Sequence, residues 1–182
     1  KDHSGNGNHG TASGVHTMGC EGVNGISTSF DGTDDYITNT ALIDNVSTFF
    51  GKNAFTYSLW VKGNTGSLAS TNTAPLSVGY HTGVFLWSYS GYNSFKQAWA
   101  IQMGTSGGTP PATNGWYSAN YITPIKGNIW YNLCATYDGT HLKSYLNGTL
   151  EKTTYVGGTL RDPSSSPDLT IGAAGGSENK YF

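Results

Sequence analysis

Apolar and polar side chains alternate through the stretch Trp130 to Gly148, which reads W-Y-N-L-C-A-T-Y-D-G-T-H-L-K-S-Y-L-N-G. Successive side chains of a strand point to opposite faces, so this alternation gives each strand one more apolar face. Asp138-Gly139 and Asn147-Gly148 tolerate the positive φ that tight connections between antiparallel strands require. The segment therefore predicts three antiparallel strands, of which the third runs from Leu150 to Val156. The more apolar face of the first strand carries Tyr131, Leu133, Ala135 and Tyr137.

Similar strands, separated by glycine and asparagine, are predicted along the rest of the chain. They lie at Val23 to Phe30, Asp35 to Thr38, Ala54 to Lys62, Leu76 to Tyr80, Val84 to Tyr89, Gln97 to Met103, Asn120 to Thr123 and Asp168 to Gly172. The alternation is unbroken from Phe55 to Lys62, where we expect a central strand with one core face. Strands at such intervals predict an all-β fold, a two-sheet antiparallel β-sandwich or jelly roll. The 182 residues fit one domain over residues 1–182.

Three segments depart from this spacing. Thr40 to Phe50 is a weak helix candidate, whereas Gly104 to Ala119 and Gly157 to Pro167 are predicted to be long surface loops. The first loop carries the aromatic pair Trp116-Tyr117. Loops of this length are often functional, and a merely decorative insertion is the alternative.

The low content of charged residues limits the expected partners. Nine Lys and Arg against 11 Asp and Glu give a net charge of −2 and a pI near 6.2. Binding to a polyanion depends on clustered Lys and Arg, so nucleic acid is not an expected partner. No apolar run reaches the roughly 20 residues needed to cross a bilayer, and we expect no membrane insertion.

The two cysteines, Cys20 and Cys134, match no metal-binding or redox spacing. Cys134 lies in the middle of a predicted strand, where we expect it to pack as a small side chain. Cys20 is placed in a glycine-rich loop and is either free or bridged to Cys134. A bridge requires Cα atoms within about 7 Å, and both alternatives stay open at this point.

Four motifs follow one another along the chain. They are D-H-S-G-N-G-N-H-G at Asp2 to Gly10, S-F-D-G-T-D-D-Y-I at Ser29 to Ile37, F-T-Y-S-L-W-V-K at Phe55 to Lys62, and the W-Y-N-L-C-A-T-Y-D-G…Y-L-N-G segment. In this order they resemble the laminin-G-like branch of the concanavalin A-like lectin/glucanase superfamily. The resemblance implies a jelly roll of two antiparallel sheets in an extracellular or surface-exposed setting. It also implies carbohydrate binding in many members and Ca²⁺ binding in some.

The resemblance further implies that the family's first and last strands are missing here. The chain starts at the first motif and stops at Tyr181-Phe182. Those two strands pair near one another in the family, so their loss leaves an edge open to pairing. We expect the rest of a longer chain to complete the sheet, and a neighbouring subunit is the alternative.

Acidic residues are not arranged as in the glucanases of that superfamily, which carry them at alternate positions of one strand. A retaining glycosidase needs two carboxyl groups about 5 Å apart. Glu21, Glu151 and Glu178 are scattered in or near turns, and Asp34-Asp35 is the one adjacent acidic pair. Consecutive strand residues face opposite sides, so that pair does not supply the arrangement. We therefore expect no enzymatic activity.

The first motif is the best candidate for a metal site. Asp2, Asn6 and nearby carbonyl groups are hard oxygen donors, the ligand type that Ca²⁺ takes in six to eight coordination. The resemblance implies that this loop contributes to a structural Ca²⁺ site, with further ligands from the family's last strand. An Asx turn closed by its own hydrogen bonds is the alternative.

Aromatic side chains with amides nearby are the candidates for sugar binding. A flat indole or phenol matches the C–H face of a sugar, while amides meet its hydroxyl groups. Such residues concentrate in the middle of the chain, and we predict that carbohydrate contacts Trp87, Tyr89, Trp99, Trp116 and Tyr117. Trp60 and Trp130 are instead expected in the core.

These features together predict a non-catalytic recognition or adhesion module on an extracellular, cell or particle surface. Its expected ligand is a glycan or surface polysaccharide. The alternative is a structural protein that decorates a virion, fibre or surface layer. In that case a face rich in tyrosine, asparagine and glycine packs against neighbouring subunits.

Overall fold

The computed structural model describes residues 2–14, 17–39, 54–63, 74–78, 84–89, 98–106, 116–120, 123–156, 159–160, 169–173 and 182. All regular elements in these ranges are strands, which confirms the all-β prediction. They are β1 (Thr11–Ser13), β2 (Thr17–Gly22), β3 (Gly25–Ser29), β4 (Tyr36–Asn39), β5 (Phe55–Val61), β6 (Leu76–Val78), β7 (Val84–Tyr89), β8 (Ala98–Ser106), β9 (Trp116–Asn120), β10 (Tyr131–Tyr137), β11 (His141–Leu146), β12 (Thr149–Tyr155), β13 (Thr159–Leu160) and β14 (Leu169–Ile171). Within the same ranges no helix is long and apolar enough to span a membrane.

Two antiparallel sheets and one hairpin contain these strands. The larger sheet runs in the order β1-β4-β14-β6-β7-β8, and β8 then pairs with β9 along one part of its length and with β13 along another. The four-stranded sheet has the order β12-β11-β10-β5. Strands β2 and β3 form a separate two-stranded ribbon.

The four-stranded sheet contains the predicted meander of β10, β11 and β12. Both residues of Asn147-Gly148 have positive φ, 50° and 82°, as a two-residue hairpin connection requires. At the other turn only Gly139 has positive φ, and the Asp138 carboxylate closes the loop by accepting hydrogen bonds from the N–H groups of His141 and Thr140. These bonds, with that from His141 foremost, hold the pKa of Asp138 well below its usual range. The turn chemistry read from the sequence therefore forms both connections.

The hydrophobic core lies between the two sheets. Leu133 and Leu142 of the smaller sheet are fully buried, and Val78 and Ala119 of the larger sheet belong to the same apolar cluster. On β10 the residues at alternate positions from Leu133 are buried, while those between them are half-buried. The predicted alternation of faces is confirmed for this strand. The remaining members of the cluster are Phe55, Val61, Ile125, Ala135, Tyr137, Leu146 and Val156.

Strand β5 follows its predicted alternation, but its surroundings differ from those expected. Phe55 and Val61 are buried, whereas Trp60 is 44% exposed because it lies on the face away from the core. The expectation that Trp60 is a core residue was wrong. Trp130 is half-buried, lies outside the core cluster and immediately precedes β10. In the described ranges β5 pairs with β10 alone, so it ends the four-stranded sheet there rather than occupying its centre.

Three segments predicted to be loops contain strands, and one of them, Gly157 to Pro167, contains β13. Cys20 lies in β2, where a bulge beside Gly19 interrupts the alternation and thereby hides the strand from pattern reading. Trp116-Tyr117 lies in β9, which obtains its ladder hydrogen bonds from β8 rather than from a local turn. No disulfide joins Cys20 and Cys134, so the bridged alternative is not formed. The helix candidate Thr40 to Phe50 lies outside the described residues.

Candidate functional site

A groove opens between the β2–β3 hairpin, strand β5 and strands β4, β14 and β6 of the larger sheet. Its main cavity has a volume of about 510 Å³, within the range of sites that hold small ligands. Val23 and Ile26 form the wall on the hairpin side, and Leu76 and Ile171 form part of the opposite wall. We refer to it as the indole groove because Trp60 and Trp130 both line it.

The two indoles of the groove are brought together by the pairing of β5 with β10. Asn132 lies opposite Trp60, and Tyr131 lies opposite Val61. Trp130 precedes Asn132 by two positions and is therefore a diagonal cross-strand neighbour of Trp60, with Cα atoms about 7–8 Å apart. Because Trp60 is 44% exposed and Trp130 is half-buried, both rings border solvent in the same groove.

Polar groups surround the indoles. Lys62 Nζ lies 5.1 Å from the centre of the Trp130 ring, a cation–π contact. Lys62 is the one charged residue among the described residues that line the main cavity. Asn132 Nδ2 donates a 3.0 Å hydrogen bond to Ser58 Oγ on the neighbouring strand. The groove thus combines flat apolar rings with hydroxyl and amide groups and a single cation.

A second, smaller cavity of about 310 Å³ adjoins the groove. Lys62, Trp130 and Phe30 line both cavities. The smaller one adds two carboxylates, those of Glu21 and Asp31. The smaller cavity therefore carries charges of both signs, whereas Lys62, which lines both cavities, is the one charged residue of the main cavity in the described part of the chain.

The residues predicted to bind sugar fall in β7, β8 and β9, which are adjacent strands of the larger sheet. Register places Trp99 opposite Ser88 and Ile101 opposite the fully buried Ala119. Directly opposed residues share a face, and so do alternate positions of one strand. The strand positions of Trp99 and Tyr117 consequently lie on the same face as Ala119, the core face.

The remaining predicted positions lie on the other face of this sheet. Register pairs Trp87 with Ala100 and Trp116 with Gly104, and Tyr89 is two positions from Trp87. Register therefore places the strand positions of Trp87, Tyr89 and Trp116 on one face of this sheet and those of Trp99 and Tyr117 on the other. Tyr117 itself is half-buried and packs against the core cluster.

The N-terminal loop, in which Asp2 and Asn6 were predicted as Ca²⁺ ligands, is closed by its own hydrogen bonds. Asp2 Oδ1 accepts from the Ser4 N–H at 2.8 Å, and Oδ2 accepts from Ser4 Oγ at 2.7 Å and from the Asn8 N–H at 2.9 Å. These bonds, with that from the Ser4 backbone foremost, lower the pKa of Asp2 from 3.8 to about 2. Asn6 joins through its N–H, which donates to Ser4 Oγ. This geometry matches the Asx-turn alternative, and the Ca²⁺ site stays a prediction.

The indole groove was missed at the level of sequence, although one signal for it was present. Alternation along β5 places Trp60 opposite to the core positions Phe55 and Val61, which already argues for an outward indole. The contribution of Trp130 depends on the register between β5 and β10, which are about 70 residues apart along the chain.

Comparison with known proteins identifies the fold. A family model described as the concanavalin A-like lectin/glucanases superfamily, Laminin_G_3, matches residues 31–182. No curated protein sequence matches the chain.

Two solved structures resemble the chain over most of its length. Domain 4 of AbnA, a GH43 extracellular arabinanase from Geobacillus stearothermophilus, solved in complex with arabinotriose, superposes with a TM-score of 0.63 at 15% identity and covers 92% of this chain and 75% of that one. The receptor binding domain of botulinum neurotoxin C/D mosaic serotype gives a TM-score of 0.60 at 14% identity, covering 97% of this chain and 44% of that one. At these identities the similarity establishes a shared β-sandwich.

Proposed function

Because the chain belongs to the concanavalin A-like lectin/glucanase superfamily, we propose that it is a non-catalytic carbohydrate-recognition module whose sugar ligand occupies the indole groove. The observation that carries the proposal is the pair of indoles, Trp60 and Trp130, lining one cavity of about 510 Å³. The extracellular arabinanase domain of the same fold, solved with arabinotriose, supports a glycan ligand and an extracellular setting. A single domain over residues 1–182 is part of the same proposal.

The chemistry of the groove suits a sugar better than a wholly apolar ligand. One face of a pyranose or furanose ring presents C–H groups that pack on an indole, while its edge presents hydroxyl groups. Asn24 and Ser58, which both line the cavity, offer an amide and a hydroxyl group. A fully apolar guest would displace water from these groups without offering them a hydrogen bond, at a cost in affinity.

The carboxylate side chains of the described residues are not arranged for glycoside hydrolysis. Asp31, Asp34 and Asp35 have carboxylate oxygens within 4.8 Å of one another, near the spacing used by retaining glycosidases. However, Asp35 is only 1% exposed, and neither Asp31 nor Asp34 is among the residues that line the main cavity of the indole groove. We therefore expect no release of reducing sugar from any glycan that the protein binds.

A glycan array followed by titration calorimetry tests the proposal, with arabinotriose included among the probes. We expect saturable binding of at least one glycan and a loss of at least tenfold in affinity for Trp130→Ala, about 1.4 kcal/mol. Tyr155→Ala is the matched control, since Tyr155 is an aromatic residue that is 62% exposed and does not line the groove. Wild-type protein that binds no glycan would refute the function.

Two positions on the face of the larger sheet opposite to that of Ala119, Trp87 and Trp116, are tested in the same series. If Trp87→Ala and Trp116→Ala abolish binding while Trp130→Ala does not, the ligand occupies the β7–β9 face instead of the groove. That result would leave carbohydrate recognition standing and overturn its location.

A structural role is the second candidate, and one observation favours it. The β2–β3 hairpin exposes three large apolar side chains, with Met18 63%, Val23 41% and Ile26 80% exposed. Such side chains commonly mark contacts between proteins. Light scattering of the purified protein tests this role: concentration-dependent assembly that Met18→Ser and Ile26→Ser abolish would support it, and a monomer at all concentrations would exclude self-assembly.

A further inference from the structure

We propose that Asp31, Asp34 and Asp35 form a binding site for a hard divalent cation of the Ca²⁺ class. The site lies in the loop between β3 and β4, away from the N-terminal loop in which calcium was predicted. It rests on two separate observations, the convergence of three carboxylates and the state of the Asp35 carboxylate.

The three carboxylates converge on one point. One oxygen from each of Asp31, Asp34 and Asp35 can be chosen so that all lie within 4.8 Å of one another. The loop is held in this shape by hydrogen bonds of its own. Asp31 Oδ1 accepts from the Thr33 N–H at 2.7 Å, and Asp35 Oδ2 accepts from the Asp31 N–H at 3.0 Å.

The second observation is the buried carboxylate of Asp35. Its side chain is only 1% exposed, and Oδ1 has no hydrogen-bond donor among the residues that the structure describes. A buried carboxylate oxygen without a donor is strongly unfavourable, and two neighbouring carboxylates increase the cost by repulsion. A cation bound among the three would supply the missing partner and neutralise the repulsion.

The distance between the three carboxylate oxygens favours some cations over others. Ca²⁺ binds oxygen at 2.3–2.6 Å, so two of its ligands can be as far apart as about 4.6–5.2 Å. Mg²⁺ binds at about 2.0–2.1 Å, which limits the separation of its ligands to about 4.2 Å. A spacing of up to 4.8 Å is therefore compatible with Ca²⁺ without movement of the loop, and at its upper end it exceeds what Mg²⁺ allows. The exposure of Asp31 and Asp34 leaves room for water to complete the coordination.

The site lies beside two other features of the fold. A Cβ at Gly14 would overlap Asp35 Oδ1, so the end of β1 packs directly on this carboxylate. Asp31 also lines the smaller cavity that adjoins the indole groove. A bound cation would thus join Asp31, in the wall of the smaller cavity, to the Asp35 carboxylate on which the end of β1 packs.

Calorimetric titration of chelator-treated protein with Ca²⁺, Mg²⁺ and Tb³⁺ tests the proposal, together with thermal unfolding in Ca²⁺ and in chelator. We expect saturable binding of Ca²⁺ and Tb³⁺, weaker binding of Mg²⁺, and a higher Tm in Ca²⁺. Asp34→Asn should weaken Ca²⁺ binding at least tenfold and remove the thermal shift. Asp31→Asn is the second variant, because its amide oxygen can still accept the hydrogen bond from Thr33.

The controls separate this site from other carboxylates. Asp138→Asn changes an exposed aspartate outside the cluster and should bind Ca²⁺ as wild type does, whereas Asp2→Asn in the N-terminal loop should keep the Ca²⁺ binding that Asp34→Asn removes. No saturable binding of Ca²⁺ or Tb³⁺ by the wild type would overturn the proposal. It would be overturned equally if Asp2→Asn abolished binding while folded Asp34→Asn and Asp31→Asn retained it.

Discussion

Replacing Leu133 with alanine tests whether the hydrophobic core lies between the two sheets, as the structure places it. Leu133 is 0% exposed and sits in the middle of β10, between Leu59 of β5 and Leu146 of β11. The substitution removes three carbon atoms, and at about 0.8 kcal/mol for each buried methylene the transfer cost is about 2.4 kcal/mol. The cavity left behind raises the loss of unfolding free energy to about 3–4 kcal/mol, since a packed strand between two partners cannot collapse onto it.

Urea unfolding followed by tryptophan fluorescence measures this loss, and thermal unfolding should show a fall in Tm of about 6–16 °C for a chain of this size. Cys134→Ala is the matched control. Cys134 is the next residue of the same strand, lies on the opposite face and is half-buried. We expect the control to cost less than about 1 kcal/mol. Equal losses for the two variants would refute the assignment of faces on β10 and, with it, the position of the core.

Two further predictions concern backbone conformation and acid stability. Gly148→Ala should lower the free energy of unfolding by about 1 kcal/mol, because φ is +82° there and an added Cβ meets no atom within 4 Å. Gly172→Ala should lower it by at least about 2 kcal/mol more, because the added Cβ would lie 2.6 Å from the Phe30 ring. Equal losses for the two variants in urea unfolding would contradict this prediction. The lowered pKa values of Asp2 and Asp138 stabilise the fold above about pH 4, and this stabilisation should fall away as the pH drops toward 2, because the unfolded chain then takes up protons that the folded protein binds less readily. Unfolding measured from pH 6 to pH 2 should show a shallower decline for Asp2→Asn than for wild type, and an unchanged slope would be evidence against the hydrogen bonds at Asp2.

The meander of β10 to β12 could be predicted from sequence because its information is local. Each strand is joined to the next by a short turn whose residues, such as Asn147-Gly148, specify the connection. Strand β7 was also predicted with its observed bounds, Val84–Tyr89. Strands of this kind need only alternation and a turn on either side.

The parts that could not be predicted depend on pairing between distant segments. Strand β9 is held by β8, and its residues Trp116-Tyr117 lie among prolines and glycines that made the segment read as a loop. The bulge at Gly19 hid β2 in a similar way. The candidate site was the least predictable part, because Trp60 and Trp130 become neighbours only through the register of β5 with β10.

The most direct test of the proposed groove is an NMR titration that observes the indole N–H signals of the five tryptophans. Each signal can be assigned by single substitution, and the glycan found on the array is then added in steps. The account predicts that the signals of Trp60 and Trp130 shift in a saturable manner and that the other three move little. Shifts confined to Trp87, Trp99 and Trp116, with Trp60 and Trp130 unmoved, would contradict it.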